Sequence, residues 1–127
     1  MKIVDNGPHL YETLWSGNFA TRNSSIELNN SIDNYSAIVV AAKMYWISDT
    51  EGEQVVTMFI PNQLYYYASK NNASVRTNEF LLSATITSTN RRIYFGFDPA
   101  TPTILYTGTM EGSSGHAPRL IGVYGIR

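Results

Sequence analysis

At 127 residues and without cysteine, the chain is sized for one domain with its own core, and a disulfide framework or thiolate metal site is excluded. A formal net charge of −1 offers no basic face for nucleic acid. A charged fraction of 15%, below the roughly 25% of ordinary soluble domains, leaves solubility to Asn, Ser and Thr, a surface suited to hydrogen bonding with sugars or to packing against sister subunits.

The segment Met1-Lys2-Ile3-Val4-Asp5 runs into the turn residues Asn6-Gly7-Pro8 and lacks the apolar stretch of a signal peptide. The first predicted strand is Leu10 to Trp15, with Leu10, Glu12 and Leu14 on one side and Tyr11, Thr13 and Trp15 on the other. Turn chemistry follows at Gly17-Asn18 and Arg22-Asn23-Ser24, around a brief Phe19-Ala20. Ser25-Ile26-Glu27-Leu28 alternates as a half-buried strand does, and Ile32 and Tyr35 stand as apolar anchors among the turn residues after it.

Ala37 to Ile47 is the most apolar run, and its β-branched centre predicts a central strand covered on both faces. A buried helix is the alternative, since Ala41-Ala42-Lys43-Met44 are good helix formers, but the flanking turns and aromatic tail favour a strand. The apolar part of this run, Ala37 to Ala42, is stopped by Lys43, far short of the ~20 residues that cross a bilayer, so no membrane insertion is expected. Asp49-Thr50-Glu51-Gly52-Glu53 reads as a hairpin tip leading into Val55 to Ile60, which Pro61 ends or confines to an edge.

Gln63 to Ala68 is a further predicted strand. Glu79 to Thr87 and Arg92 to Phe97 read as a hairpin turning at Thr89-Asn90-Arg91, with Ile93, Phe95 and Phe97 on one face. Thr103 to Tyr106 is a short strand between Pro102 and Gly108, and the loop from Met110 to Pro118 precedes a last strand from Leu120. About eight to nine short strands without a helical period predict one all-β domain over residues 1–127, a sandwich or barrel that is mostly antiparallel, and the expectation taken is an antiparallel, jelly-roll-like β-sandwich.

Acid–base chemistry on a sugar needs two carboxylates in one cleft, and most carboxylates here fall in predicted turns. Glu12 stands out between Leu10 and Leu14: facing inward it would need a partner or a function, whereas on an edge strand it is ordinary. Asp49-x-Glu51-x-Glu53 lacks the calcium-loop pattern. Ser113-Ser114 near His116 is no catalytic triad, and no G-x-S-x-G elbow occurs. We therefore expect no enzyme, no metal and no cofactor. Aromatic residues are more suggestive, because neighbouring members of Tyr45-Trp46 and of Tyr65-Tyr66-Tyr67 point to opposite faces of a strand, so that some rings project outward. Tyr45, Trp46, Tyr66, Asn71, Asn72 and His116 are the candidate ligand-binding residues, for ring stacking and neutral hydrogen bonding.

Leu14-Trp15-Ser16-Gly17, Ser25-Ile26-Glu27-Leu28, the segment Ile32-Asp33-Asn34-Tyr35-Ser36-Ala37-Ile38-Val39-Val40 and the closing Ile121-Gly122-Val123-Tyr124-Gly125-Ile126-Arg127 together resemble a small β-domain of bacteriophage tail fibre and baseplate proteins. The resemblance lies in sandwich framework residues, leaves the middle of the chain unmatched, and carries no binding residues over. It implies a virion protein made in the host cytoplasm, commonly a homotrimer, that contacts other tail subunits and recognises carbohydrate on the host surface. No shaft, collagen-like repeat or coiled-coil heptad accompanies it. A purely structural tail, baseplate or capsid accessory role is the alternative.

Overall fold

The computed structural model describes residues 11–45, 54–61, 64, 80–86, 89–112 and 118–127. Among them are eight strands: β1 (Tyr11–Phe19), β2 (Ser25–Glu27), β3 (Ala37–Tyr45), β4 (Gln54–Pro61), β5 (Phe80–Ile86), β6 (Thr89–Asp98), β7 (Thr101–Glu111) and β8 (Arg119–Ile126). They form two four-stranded antiparallel sheets, ordered β1-β8-β3-β4 and β2-β7-β6-β5. The protein is thus an all-β sandwich. As in a jelly roll, the first strand lies beside the last and the second beside the seventh. Within the two sheets, β3 pairs with β4 and β5 with β6, consecutive-strand pairs that depart from jelly-roll order, in which the third strand lies beside the sixth and the fourth beside the fifth.

Period-2 alternation builds the core. Ile38, Val40, Ala42 and Met44 of β3 point inward with Leu14, Ile60, Leu120 and Val123, against Ile26, Leu82, Ile93, Phe95, Phe97, Leu105 and Met110 of the other sheet. Phe95 and Phe97 are fully buried, with ring centroids 6.1 Å apart and edge to face. Each such side chain contributes about 1.5–3 kcal/mol on leaving water.

The chain passes from one sheet to the other at adjacent amides. Leu28 N donates to Thr103 O of β7 at 2.7 Å, and Asn29 N donates to Leu14 O of β1 at 2.8 Å. A single 3₁₀ turn, Ile32–Asn34, follows; the Ser31 side chain caps it by accepting from Asp33 N, and the turn buries Ile32. Both expected anchors, Ile32 and Tyr35, are buried.

Ala37–Tyr45 is a strand as expected, and it is central in its sheet, lying between β8 and β4; of its two faces, only the one bearing Ile38, Val40, Ala42 and Met44 packs against the other sheet, so the expected cover on both faces is not found among the described residues. The expected β5–β6 hairpin is present, but its ladder continues to Ile86 opposite Thr89, so Thr89-Asn90-Arg91 belongs to the strand. Two strands are longer than the turn residues suggested. β1 passes through Gly17-Asn18 because register shifts between Thr13 and Trp15 and between Ser16 and Phe19 absorb extra residues. β7 passes through Pro102, which stands near its start where a missing N–H costs least, and through Gly108. Of the predicted strand Gln63 to Ala68, only Leu64 is among the described residues.

Candidate binding surface

The register of the β1-β8-β3-β4 sheet fixes which side chains share its outer, solvent-facing side. Across the strands, Tyr11, Ile126, Ala37 and Pro61 form one row, and Thr13, Tyr124, Val39 and Phe59 the next. Ser16, Gly122, Ala41 and Thr57 form a third, and Arg119, Lys43 and Val55 end the face. Three successive rows therefore carry no charge. Tyr11, Val55 and Phe59 are 59%, 55% and 62% exposed, an uncommon concentration of large apolar side chains on one sheet face.

Tyr11, Val39, Tyr124 and Ile126 line a shallow depression of about 390 Å³. Its two rings meet edge to face, with centroids 6.4 Å apart at 76°. Tyr124 lies down along its own strand over Gly122, where an added Cβ would come within 2.5 Å of the tyrosine hydroxyl. Glycine at 122 thus makes this part of the face flat. The exposed hydroxyl-bearing residues Thr13 and Ser16 border the same area on β1. Arranged this way, the surface offers an aromatic floor, an apolar wall and neutral hydrogen-bonding groups.

The framework motifs converge elsewhere, at the end of the sandwich where β1, β8 and the 3₁₀ turn meet. Glu12 faces the same side as Leu14, and its carboxylate accepts a 2.6 Å hydrogen bond from the Tyr35 hydroxyl and pairs with the Arg127 guanidinium. The Arg127 guanidinium carbon also lies 5.8 Å from the centre of the Tyr35 ring, within cation–π range. Asn30 Nδ2 donates to the Tyr35 hydroxyl at 3.2 Å, and Asn34 Nδ2 donates to Asn30 Oδ1 at 2.8 Å. Glu12 is therefore an inward carboxylate supplied with partners. Among the described residues, no group of three His, Asp or Glu is placed to hold a metal ion.

The six residues nominated from the sequence lie outside the described residues, apart from the backbone of Tyr45, which closes β3 opposite Gln54. Trp46 follows β3 directly, and His116 belongs to the segment joining β7 to β8; since Lys43 faces Arg119, the strand ends flanking both are neighbours. Tyr66, Asn71 and Asn72 belong to the segment joining β4 to β5, whose flanking strand ends are at the opposite end of the sandwich. Tyr11, Tyr124 and Phe59 went unnominated. The signal for Tyr11 was present, since alternation placed it on the side opposite Leu14. For Phe59 and Tyr124 the outward direction depends on which side of each strand meets the core, and that follows from the sheet order. The chain matches no family model and no curated protein sequence.

Proposed function

We propose that this chain works by surface binding, without catalysis, as a phage-tail-type receptor-binding domain that recognises host-surface carbohydrate. The observation that supports this reading most is the Tyr11–Tyr124 depression. A pyranose ring can lay its C–H face on the Tyr124 ring, with the Tyr11 ring standing beside it as a wall, while its hydroxyls bond to tyrosine hydroxyls and to Thr13 and Ser16 at the border. A shallow site of this kind binds weakly on its own, and adhesion follows when several copies engage one polysaccharide. The framework resemblance supports the same setting, a virion tail in contact with other tail subunits.

A second reading is a structural tail, baseplate or capsid accessory subunit, favoured by the aliphatic share of the same face, Val39, Val55 and Ile126. An array of bacterial surface polysaccharides separates the two. The adhesion reading expects hits for the full chain and their loss in Tyr11→Ala; a folded sample with no hits overturns it and leaves the structural role.

A further inference from the structure

We infer that the Tyr11–Tyr124 depression selects a 6-deoxyhexose, an uncharged sugar unit whose C6 is a methyl in place of a hydroxymethyl group; this rests on the carbohydrate reading above and names the sugar class for the same site. The depression, at about 390 Å³, is at the small end of ligand pockets and takes one sugar unit. Its two sides differ chemically, because different strands supply them.

Tyr124 stands on β8, between β1 and β3. On the β1 side its partner is Thr13, and Ser16 faces Gly122, the glycine that the Tyr124 ring covers. Both are exposed and carry hydroxyls. On the β3 side its partner is Val39, and Ala41 faces Gly122. Ile126 lies one row away, between Tyr11 and Ala37. Val39 and Ile126 are half-buried and turn aliphatic surface into the depression. Beyond them, Thr57 of β4 faces Ala41, two strands from Tyr124 and so about 10 Å across the sheet. Among the described residues no charged side chain lines the depression, and Arg127, next to Ile126, is paired with Glu12.

A pyranose lying on Tyr124 has to match both sides at once. In a hexopyranose the C2 and C3 hydroxyls occupy one edge of the ring, and C5 with its C6 substituent occupies the opposite edge. With the hydroxyl edge toward Thr13 and Ser16, C6 falls over Val39 and Ile126. A methyl at that place removes apolar area from water against two aliphatic side chains. A hydroxymethyl group gives up water there and finds no partner in return. A C6 carboxylate, as in a uronic acid, loses still more on the same surface. The C6 substituent that fits the β3 side is therefore the methyl.

The test presents the sugars on a polymer, because a shallow site holds one unit weakly and several units together firmly. The full chain is immobilised, and polyacrylamide bearing L-rhamnose or L-mannose, or L-fucose or L-galactose, is passed over it; the members of each pair differ only at C6. In the pair that binds, the deoxy member is expected to reach half-saturation at about tenfold lower concentration, the lower end of what one group in an apolar pocket discriminates. Val39→Thr puts a hydroxyl on the apolar side and suits a strand, so it is expected to bring the two members within about threefold of each other. Equal binding of both members, tighter binding of the hydroxymethyl member, or a preference unchanged in Val39→Thr overturns the inference and leaves the adhesion reading standing. The same holds if a folded chain binds a bacterial surface polysaccharide but none of these polymers. A folded chain that binds neither overturns both.

Discussion

The hydroxyl of Tyr35 donates to Glu12 Oε2 at 2.6 Å, joining the 3₁₀ turn before β3 to the start of β1 across 23 residues of sequence. Tyr35 is buried and the Glu12 side chain is about one-third exposed, so the bond is charge-assisted and half screened from water. Tyr35→Phe keeps the ring packing and removes this bond and the one from Asn30. Its expected cost is about 1–2 kcal/mol of unfolding free energy, at the lower part of the range for bonds to charged acceptors, read as a lower midpoint with unchanged m-value in urea.

Gly125 gives an independent test of the same corner. A Cβ there would come within 2.5 Å of the Tyr35 ring, and Ser36 N, next to Tyr35, donates to Ile126 O at 2.7 Å, which holds the two segments together. Gly125→Ala is expected to destabilise by about 1–3 kcal/mol through overpacking. In a Tyr35→Ala background the ring is gone, so the same substitution should cost markedly less, and a double-mutant cycle measures the difference as a coupling.

How much of this was open to reading from the sequence depended on what each residue answers to. Ile93, Phe95 and Phe97 are legible as one inward face because alternation with period two is local; the central strand at Ala37–Tyr45 is legible from its apolar, β-branched run, but that run does not show which of its sides meets the other sheet. Glu12 stands between Leu10 and Leu14 in the sequence, where an ordinary edge-strand carboxylate is the favoured reading; its partners Tyr35 and Arg127 come from distant segments, so nothing near it announces the pairing. The extent of β1 was hidden by Gly17-Asn18, ordinary turn chemistry that two bulges absorb. The binding face was harder still. Tyr11, Tyr124, Val39 and Phe59 come from four strands, and which of their sides meets solvent depends on the sheet order β1-β8-β3-β4.

Thr107 holds the β1–β2 connection. It is fully buried on β7, its hydroxyl donates to Thr21 O at 2.8 Å and accepts from Ser24 N at 3.0 Å. Thr107→Val keeps the volume but leaves two backbone groups without this partner, at an expected cost of about 1–3 kcal/mol. Thr107→Ser, which retains the hydroxyl, should cost less. Chemical denaturation of both variants checks the order.

Within the same connection Asn23 has φ of 48°, the left-handed region that Asn tolerates and β-branched residues do not. Asn23→Val is expected to lower stability by about 1–2 kcal/mol, whereas Asn23→Gly should leave the melting temperature nearly unchanged. Thermal melts of the two variants side by side test this.

The most direct measurement for the adhesion account is equilibrium binding of the full chain to immobilised bacterial surface polysaccharides, with Tyr11→Ala and Tyr35→Phe in parallel. The account predicts saturable binding that Tyr11→Ala weakens by about tenfold, equivalent to ~1.4 kcal/mol, and that Tyr35→Phe leaves intact because its hydroxyl serves the framework. Binding that survives Tyr11→Ala unchanged, or no binding by a folded chain, would contradict it.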